Sequence, residues 1–446
     1  MQNLDGTVVA TALPAMAQSF GAKPLEMNLA LTSYLLSLAV FIPVSGWMAD
    51  RYGSRTVFRA AIAVFTLGSI LCGYSNTLSM LVASRIVQGL GGAMMVPVGR
   101  LVLLRSVAKS ELVAAMAWLT VPALIGPVIG PPLGGFLVTY ADWRWIFTIN
   151  VPIGIIGIIL VTLFVDELKA DTPGRLDVVG LVLCGVALSG ITFGSEMLGR
   201  GVEAASLVAF CLGAGLLAGI AYFWHARRRP DPLLDLSLLK IPTFAVSVLA
   251  GTLFRVGVGA IPFLLPLMFQ IGFGDSAAQS GLVTFASAIG AIIMKPAAQR
   301  ALRAFGFRGT LFWNAIISAL GVALCAAFRS WWPLPAIYGA LILSGFFRSL
   351  QFTAYNTIAY ADIPRERMSA ATSLYATIQQ LSLTFGVTIG TSALAISTHF
   401  NHHATLQVGD FAFAFLVVAF LMMLAAPASL LMPADAGEEV SGHHMR

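Results

Sequence analysis

Long apolar runs recur along the whole chain, and they dictate what surrounds it. A helix crosses a bilayer with about 17–25 predominantly apolar residues. Runs of that kind lie near residues 28–49, 56–74, 80–104, 113–140, 145–165, 178–198, 204–224, 243–271, 277–299, 308–328, 334–360, 370–398 and 410–432. A shortened one near 4–20 comes first, which makes fourteen. Apolar residues are 58% of the 446, charged residues only 10%, and the mean hydropathy is +0.86. A soluble domain carries about 25% charged residues. The charges here are too few to wet a globular surface, so lipid faces most of it. The expected fold is an all-α polytopic membrane protein.

The basic residues then orient it. Lys and Arg gather in short cytoplasmic loops. If the first run starts inside, 19 of them fall in inner loops, Arg100 and Lys295 included, and four (Lys23, Arg144, Arg200, Arg329) in outer ones. Both termini are expected in the cytoplasm, and a pI near 9.3 reflects this bias rather than nucleic-acid binding. Arg85, Arg255 and Arg348 remain, each inside an apolar run, and Asp5 joins them. Ionisable groups at such places face a cavity or a partner.

Little else reads as chemistry. Cys72, Cys184, Cys211 and Cys325 lie in apolar runs without a C-x-x-C pair, as small hydrophobes do. No cleavable signal peptide is legible. His399, His402 and His403 lack an acid or Cys at ligand spacing, so a solvated loop is expected rather than zinc. No nucleophile–base set or phosphate loop appears, so no enzyme and no cofactor is expected.

Two linkers, 167–177 and 225–240, divide the chain into six, two and six runs. The expected units are a six-helix bundle over 1–166, two extra helices with their loops over 167–240, a second bundle over 241–432 and a cytoplasmic tail over 433–446. The basic, glycine-containing loops at 49–59 and 295–309 correspond, which suggests a duplicated six-helix unit. Parallel repeats of this kind enclose a midplane cavity.

Four ordered blocks stand out. They are LDGTVVATALP from Leu4, GWMADRYGSR from Gly46, RIVQGLGGAMM from Arg85 and GPVIGPPLGGFL from Gly126. In the last, Gly126, Gly130 and Gly134 share one helix face for close backbone contact while prolines bend the helix. WRWIFTINVPIG at 143–154 and RLDVVG at 175–180 follow. Together these blocks resemble the major facilitator superfamily, and within it the fourteen-helix drug:proton antiporter branch, over nearly the whole chain.

The resemblance implies two six-helix bundles plus two additional central helices, with the first helix short at its N-terminus. It implies a gating loop made of Gly46, Asp50, Arg51, Gly53 and Arg55, although Ser54 and Arg55 shift the family's basic spacing. Gly126, Pro127, Gly130, Pro131, Gly134 and Gly135 correspond to an exporter-specific hinge. Asp5 and Arg85 correspond to the proton-coupling pair. A guanidinium stays charged, so it can only hold or release a neighbouring carboxylate. Gln88, Met94, Arg255, Gln270, Arg348 and Gln351 are candidates to line the substrate cavity.

The implied activity is proton-coupled efflux of amphipathic small molecules across a bacterial inner membrane, driven by the proton gradient. A monomer is expected, and a periplasmic adaptor is a candidate partner. The rivals are an importer of a small metabolite and a transport-dead sensor. Only four residues precede Asp5. A family helix begins ten or more earlier, so Asp5 is expected at the inner end with no helix below it. A start codon assigned too late is the favoured explanation, ahead of a truncated paralogue or a local lipid or water defect.

Overall fold

The computed structural model describes residues 1–21, 27–170, 174–199, 205–403 and 405–443. Every regular element among them is helical. The first bundle holds α1 (Gln2–Phe20), α2 (Asn28–Phe41), α3 (Ser45–Tyr52), α4 (Ser54–Gly73), α5 (Leu78–Ser106), α6 (Leu112–Tyr140), α7 (Trp145–Thr148) and α8 (Asn150–Phe164). The extra pair is α9 (Val178–Gly199) and α10 (Ala205–Arg228). The second bundle holds α11 (Pro242–Leu267), α12 (Ala277–Ile293), α13 (Lys295–Cys325), α14 (Leu334–Ile358), α15 (Met368–Phe400), α16 (Val408–Met423) and α17 (Ala425–Ser429), and α18 (Glu438–Ser441) closes the tail.

Breaks within these helices have local causes. Pro43 sits in the 3-10 turn that joins α2 to α3. Pro262 and Pro266 lie just before the π-turn Met268–Gly272 that ends α11. Gly306, at φ +64, breaks α13 into two helices. With α2–α3, α7–α8 and α16–α17 each read as one passage, the described residues make fourteen passages that follow the fourteen expected runs. Among the described residues, ten helices are long and apolar enough to cross a membrane.

The two bundles repeat one packing scheme. α1 packs on α6 as α11 packs on α15, and α2 on α5 as α12 on α14. α4 touches α5 and α8 as α13 touches α14 and α16. Glycines make these approaches possible. A Cβ at Gly91 would lie 2.4 Å from the backbone N of Phe65 on α4, and one at Gly290 would lie 1.8 Å from the Ile342 carbonyl on α14. The turn after α3 needs Gly53 at φ +94, and its counterpart in α13 is Gly306. The duplication expected from the two basic loops is therefore present in the packing.

α9 lies against α2 of one bundle and α15 of the other, and α10 packs on α9. Bonds hold α9 to both bundles. The Thr32 hydroxyl donates to Glu196 at 3.0 Å, and the Thr388 hydroxyl donates to the Ser195 carbonyl at 3.2 Å. α6 also reaches across, touching α12, α13 and α14. The end of the bundle that carries Gly53 and Gly306 is called the basic end below.

Candidate functional site

The deepest charge lies inside the first bundle. Asp5 and Arg85 are 2% and 0% exposed and form a direct ion pair. Gln88, one turn along α5, donates from Nε2 to Asp5 Oδ1 at 2.9 Å and to Ser69 Oγ at 2.6 Å. Asn150, the first residue of α8, donates to Asp5 at 3.4 Å and to Ser69 at 3.2 Å. Arg85 Nε donates to the Ala30 carbonyl at 3.0 Å, and its guanidinium lies 4.3 Å from the centre of the Tyr34 ring. Five helices thus converge on one carboxylate. Gly89 lets α5 come this close to α2, since a Cβ there would lie 2.5 Å from Ser37 Cβ.

This corrects the expected depth of Asp5. Arg85 lies two turns into α5, Ser69 one turn before the end of α4, and Asn150 at the start of α8, all counted from the end opposite the basic one. Asp5 therefore sits in the half of the bundle away from the basic end, not at the inner end. Removing either partner of a buried pair costs roughly 3–5 kcal/mol, so the acid goes where the fixed guanidinium is.

The loop at 46–55 meets the second bundle at the basic end. A Cβ on Gly46 would lie 2.5 Å from the Ser369 carbonyl of α15. The bare glycine lets its N–H donate to Ser373 Oγ at 2.7 Å. Asp50 accepts from Arg105 at 3.1 Å and from the Ser369 hydroxyl. Arg55 donates to the Thr162 carbonyl, and Arg51 is exposed. A Cβ on Gly53 would overlap Glu167.

The linker lies along this loop. The Thr56 hydroxyl donates to Glu167 at 2.6 Å, and the Ser54 N–H donates to the Leu168 carbonyl at 3.0 Å. The Ala170 N–H donates to the Asp50 carbonyl at 3.2 Å, and Trp47 donates to the Gly174 carbonyl at 2.9 Å. The segment after α8, legible only as a linker, is thus a strap over the loop.

The fifth-run glycines lie on α6, the helix shared by the two bundles. Gly126, Gly130 and Gly134 are buried, whereas Gly135 is exposed. Pro127 and Pro131 belong to the same helix, and their side chains lie outside the described residues.

The cavity candidates separate. Gln88 belongs to the Asp5 network, and Met94 packs into the main apolar core. Gln351 is bound within the second bundle, accepting from Asn314 at 2.8 Å and donating to the Leu311 carbonyl at 2.9 Å. Gln270, at the far end of α11, is exposed and reaches Ser280 at 3.5 Å. Arg348 is half-buried on α14. Arg255 is 1% exposed and bonds to Tyr375 and, at 3.5 Å, to Asn356. It does not snorkel out at the basic end.

Two cations counted with the loops are buried in helices. Lys295 is 4% exposed and donates to Thr353 at 3.2 Å. Arg100 is 4% exposed and donates to Tyr360 at 3.2 Å and Gln379 at 3.3 Å in the opposite bundle. The sequence carried a signal for Arg100, because Leu101 to Leu104 prolong the apolar run beyond it. The tail also packs on the basic end, where Lys109 and Glu439 make an exposed pair at 2.8 Å. His403 bonds to Asp410 at 3.0 Å, the acid that caps α16.

The Major Facilitator Superfamily model matches residues 1–387 and 243–443. The chain belongs to the major facilitator superfamily. It is 40% identical over 98% of its length, and 91% of the relative's, to a Serratia proteamaculans protein named "Putative multidrug resistance protein MdtD". A Salmonella newport protein of that name is 37% identical, with 98% and 93% covered.

Solved structures agree in fold. A human organic anion transporter, MFSD10, superposes with TM-score 0.68 at 15% identity, covering 96% of each chain. A proton:xylose symporter, XylE, gives 0.65 at 14% identity, covering 98% and 96%. The chain is accordingly a multi-pass membrane transporter of small substrates and not an enzyme. At the basic end the first bundle bonds across to the second through Gly46, Asp50 and Arg100.

Proposed function

We propose that this transporter is a proton-coupled exporter of amphipathic small molecules, working by alternating access in a bacterial inner membrane with both termini in the cytoplasm. The observation that carries the reading is the Asp5–Arg85 pair, buried at 2% and 0% exposure and enclosed by Gln88, Asn150 and Ser69. Arg85 keeps its charge under any ordinary condition, so Asp5 is the member of the network that can take a proton. A proton on Asp5 cancels the attraction and leaves the guanidinium to the Gln88 Oε1, which accepts from its Nη1 at 2.6 Å, the Ala30 carbonyl and the Tyr34 ring. α1, α2, α4, α5 and α8 all meet there, so the change reaches helices that also form the seam. The MdtD relatives support drugs as the substrate class, and the closed loop at Gly46 and Asp50 supports a gate on the cytoplasmic side.

The unit boundaries at 166, 240 and 432 go with this reading, the first and third units rocking while α9 and α10 ride outside. The test is proton-linked transport in inverted membrane vesicles over a panel of cationic, neutral and anionic amphiphiles. The expected result is collapse of the pH gradient by at least one class, abolished in Asp5→Asn. An undiminished response in Asp5→Asn overturns the coupling role, and silence across the panel overturns the exporter.

A further inference from the structure

The seam between the bundles holds two more buried arginines, and unlike Arg85 they are paired with no acid among the described residues. Arg100 of α5 and Arg255 of α11 lie on one tyrosine, their guanidinium carbons 5.6 and 4.5 Å from the centre of the Tyr375 ring. Arg100 donates to Tyr360 and Gln379, and Arg255 donates to Tyr375 and Asn356. All four acceptors are neutral, so they satisfy N–H groups without cancelling charge. Two acids at the basic end are engaged elsewhere: Asp50 by Arg105 and Ser369, and Asp362 by Thr243 at 2.7 Å.

The unmade bonds have one sign. Arg100 Nε, Arg255 Nε, Arg255 Nη1 and Asn356 Nδ2 are buried donors without an acceptor among the described residues. No acceptor in the cluster is left over. Arg55, Arg85 and Arg348 each leave one donor unmade as well, but among the described residues only this cluster gathers four such donors around two positive charges that no acid pairs, a set that suits an oxyanion. Buried donors are normally satisfied, and buried charge in a membrane is normally paired. A guanidinium fork suits a planar carboxylate or a phosphate.

We propose that Arg100 and Arg255 form an anion site that holds the oxyanion group of the transported amphiphile. The inference rests on the exporter reading and narrows its substrate class from amphiphiles in general to anionic ones. Arg100 comes from the first bundle and Arg255, Tyr360, Tyr375 and Gln379 from the second, so the site is complete only when the basic end is shut. A solute entering from the basic end meets both arginines as that end parts, and its charge offsets theirs as the end closes behind it. Loading thereby favours closure.

The experiment uses the purified full-length chain with three probes of one shape: 1-naphthoate, 1-naphthylmethylammonium and 1-naphthylmethanol. Binding is read by tryptophan fluorescence and by the shift in melting temperature. Naphthoate is expected to bind at least about tenfold tighter than the other two, as a charge-assisted pair of bonds implies. R100Q and R255Q are each expected to weaken naphthoate by about that factor and to leave the alcohol unchanged. Where a glutamine variant does not fold, R100K and R255K keep the charge and lose the fork, and the same preference is expected to shrink.

Equal binding of the three probes, or naphthoate binding indifferent to both arginines, overturns the proposal. Inorganic phosphate or chloride reproducing the naphthoate shift also overturns it, because the site then anchors no amphiphile. Collapse of the pH gradient by the ammonium probe that is lost in Asp5→Asn, without naphthoate binding, removes the anion site and leaves the exporter standing. Arginine-dependent naphthoate binding without proton movement removes the exporter and leaves the site.

Discussion

The two bundles pack alike and are charged unlike. Each uses the same helix neighbours and a positive-φ glycine at the corresponding turn, Gly53 in one and Gly306 in the other. Yet Arg85 in the first bundle meets a carboxylate, while Arg255 in the second meets a tyrosine and an amide. Packing constrains volume and backbone approach, and these survive repetition of the fold because a Cβ at Gly91 or Gly290 would strike the neighbouring helix. Charge is set by single side chains and is free to differ. The buried arginine of the first bundle is paired by an acid, and that of the second is left with neutral partners.

The largest expected effect breaks the charged member of that comparison. Asp5→Asn removes the counterion of a fully buried guanidinium, and loss of one partner costs about 3–5 kcal/mol. A large drop in melting temperature and no proton-linked transport are expected. Asp5→Asn/Arg85→Gln is expected to regain most of the stability and none of the coupling. If the double variant transports, the pair is only structural.

Next comes the backbone contact between the bundles. Gly46→Val places a side chain against the Ser369 carbonyl, and overpacking of this kind costs about 1–3 kcal/mol. The basic end should then close roughly tenfold less often, read as reactivity of a cysteine introduced at Ser373. Unchanged reactivity would show that Gly46 does not meet α15 in the membrane. Asp50→Asn is expected to act the same way and more weakly, since its pair with Arg105 is partly exposed.

The smallest effect concerns the added helices. Asp177 is buried at the foot of α9, where burial alone favours its neutral form. The Gly180 N–H, His225 and the Leu233 N–H outweigh that and hold its carboxyl below the usual carboxylate range. A lowered value in the folded state means a stabilising contribution that is present above the unfolded value, about 3.9, and lost as pH falls through the lowered one. Melting curves between neutral and acid pH should show this loss, and Asp177→Asn should flatten it while leaving Asp5-dependent coupling intact. Lys109→Gln, which removes an exposed pair, should change neither transport nor melting.

Much of this was legible in the residues. Apolar run length fixes the passages because a bilayer accepts little else, and the glycines of RIVQGLGG mark where α5 touches α2 and α4. Depth was not legible for Asp5. Counting residues from the chain start places it at the inner end, but a buried guanidinium on another helix decides where a carboxylate rests. Arg100 was misplaced by a rule about loops that cannot see a side chain turned across a seam to Tyr360. Asn150 stood inside a block that marked the family without a role of its own, and Ser69 gave no signal, since single polar residues in apolar helices gain meaning only from what faces them.

The strap between α8 and α9 carries a mechanical consequence. Four bonds, from Ser54, Thr56, Trp47 and Ala170, stitch it to the loop that meets the second bundle at the basic end. The outer pair is therefore not merely resting against the bundles. It is moored to that loop, and under the alternating access proposed above the loop could not swing without either dragging the mooring along or letting it go.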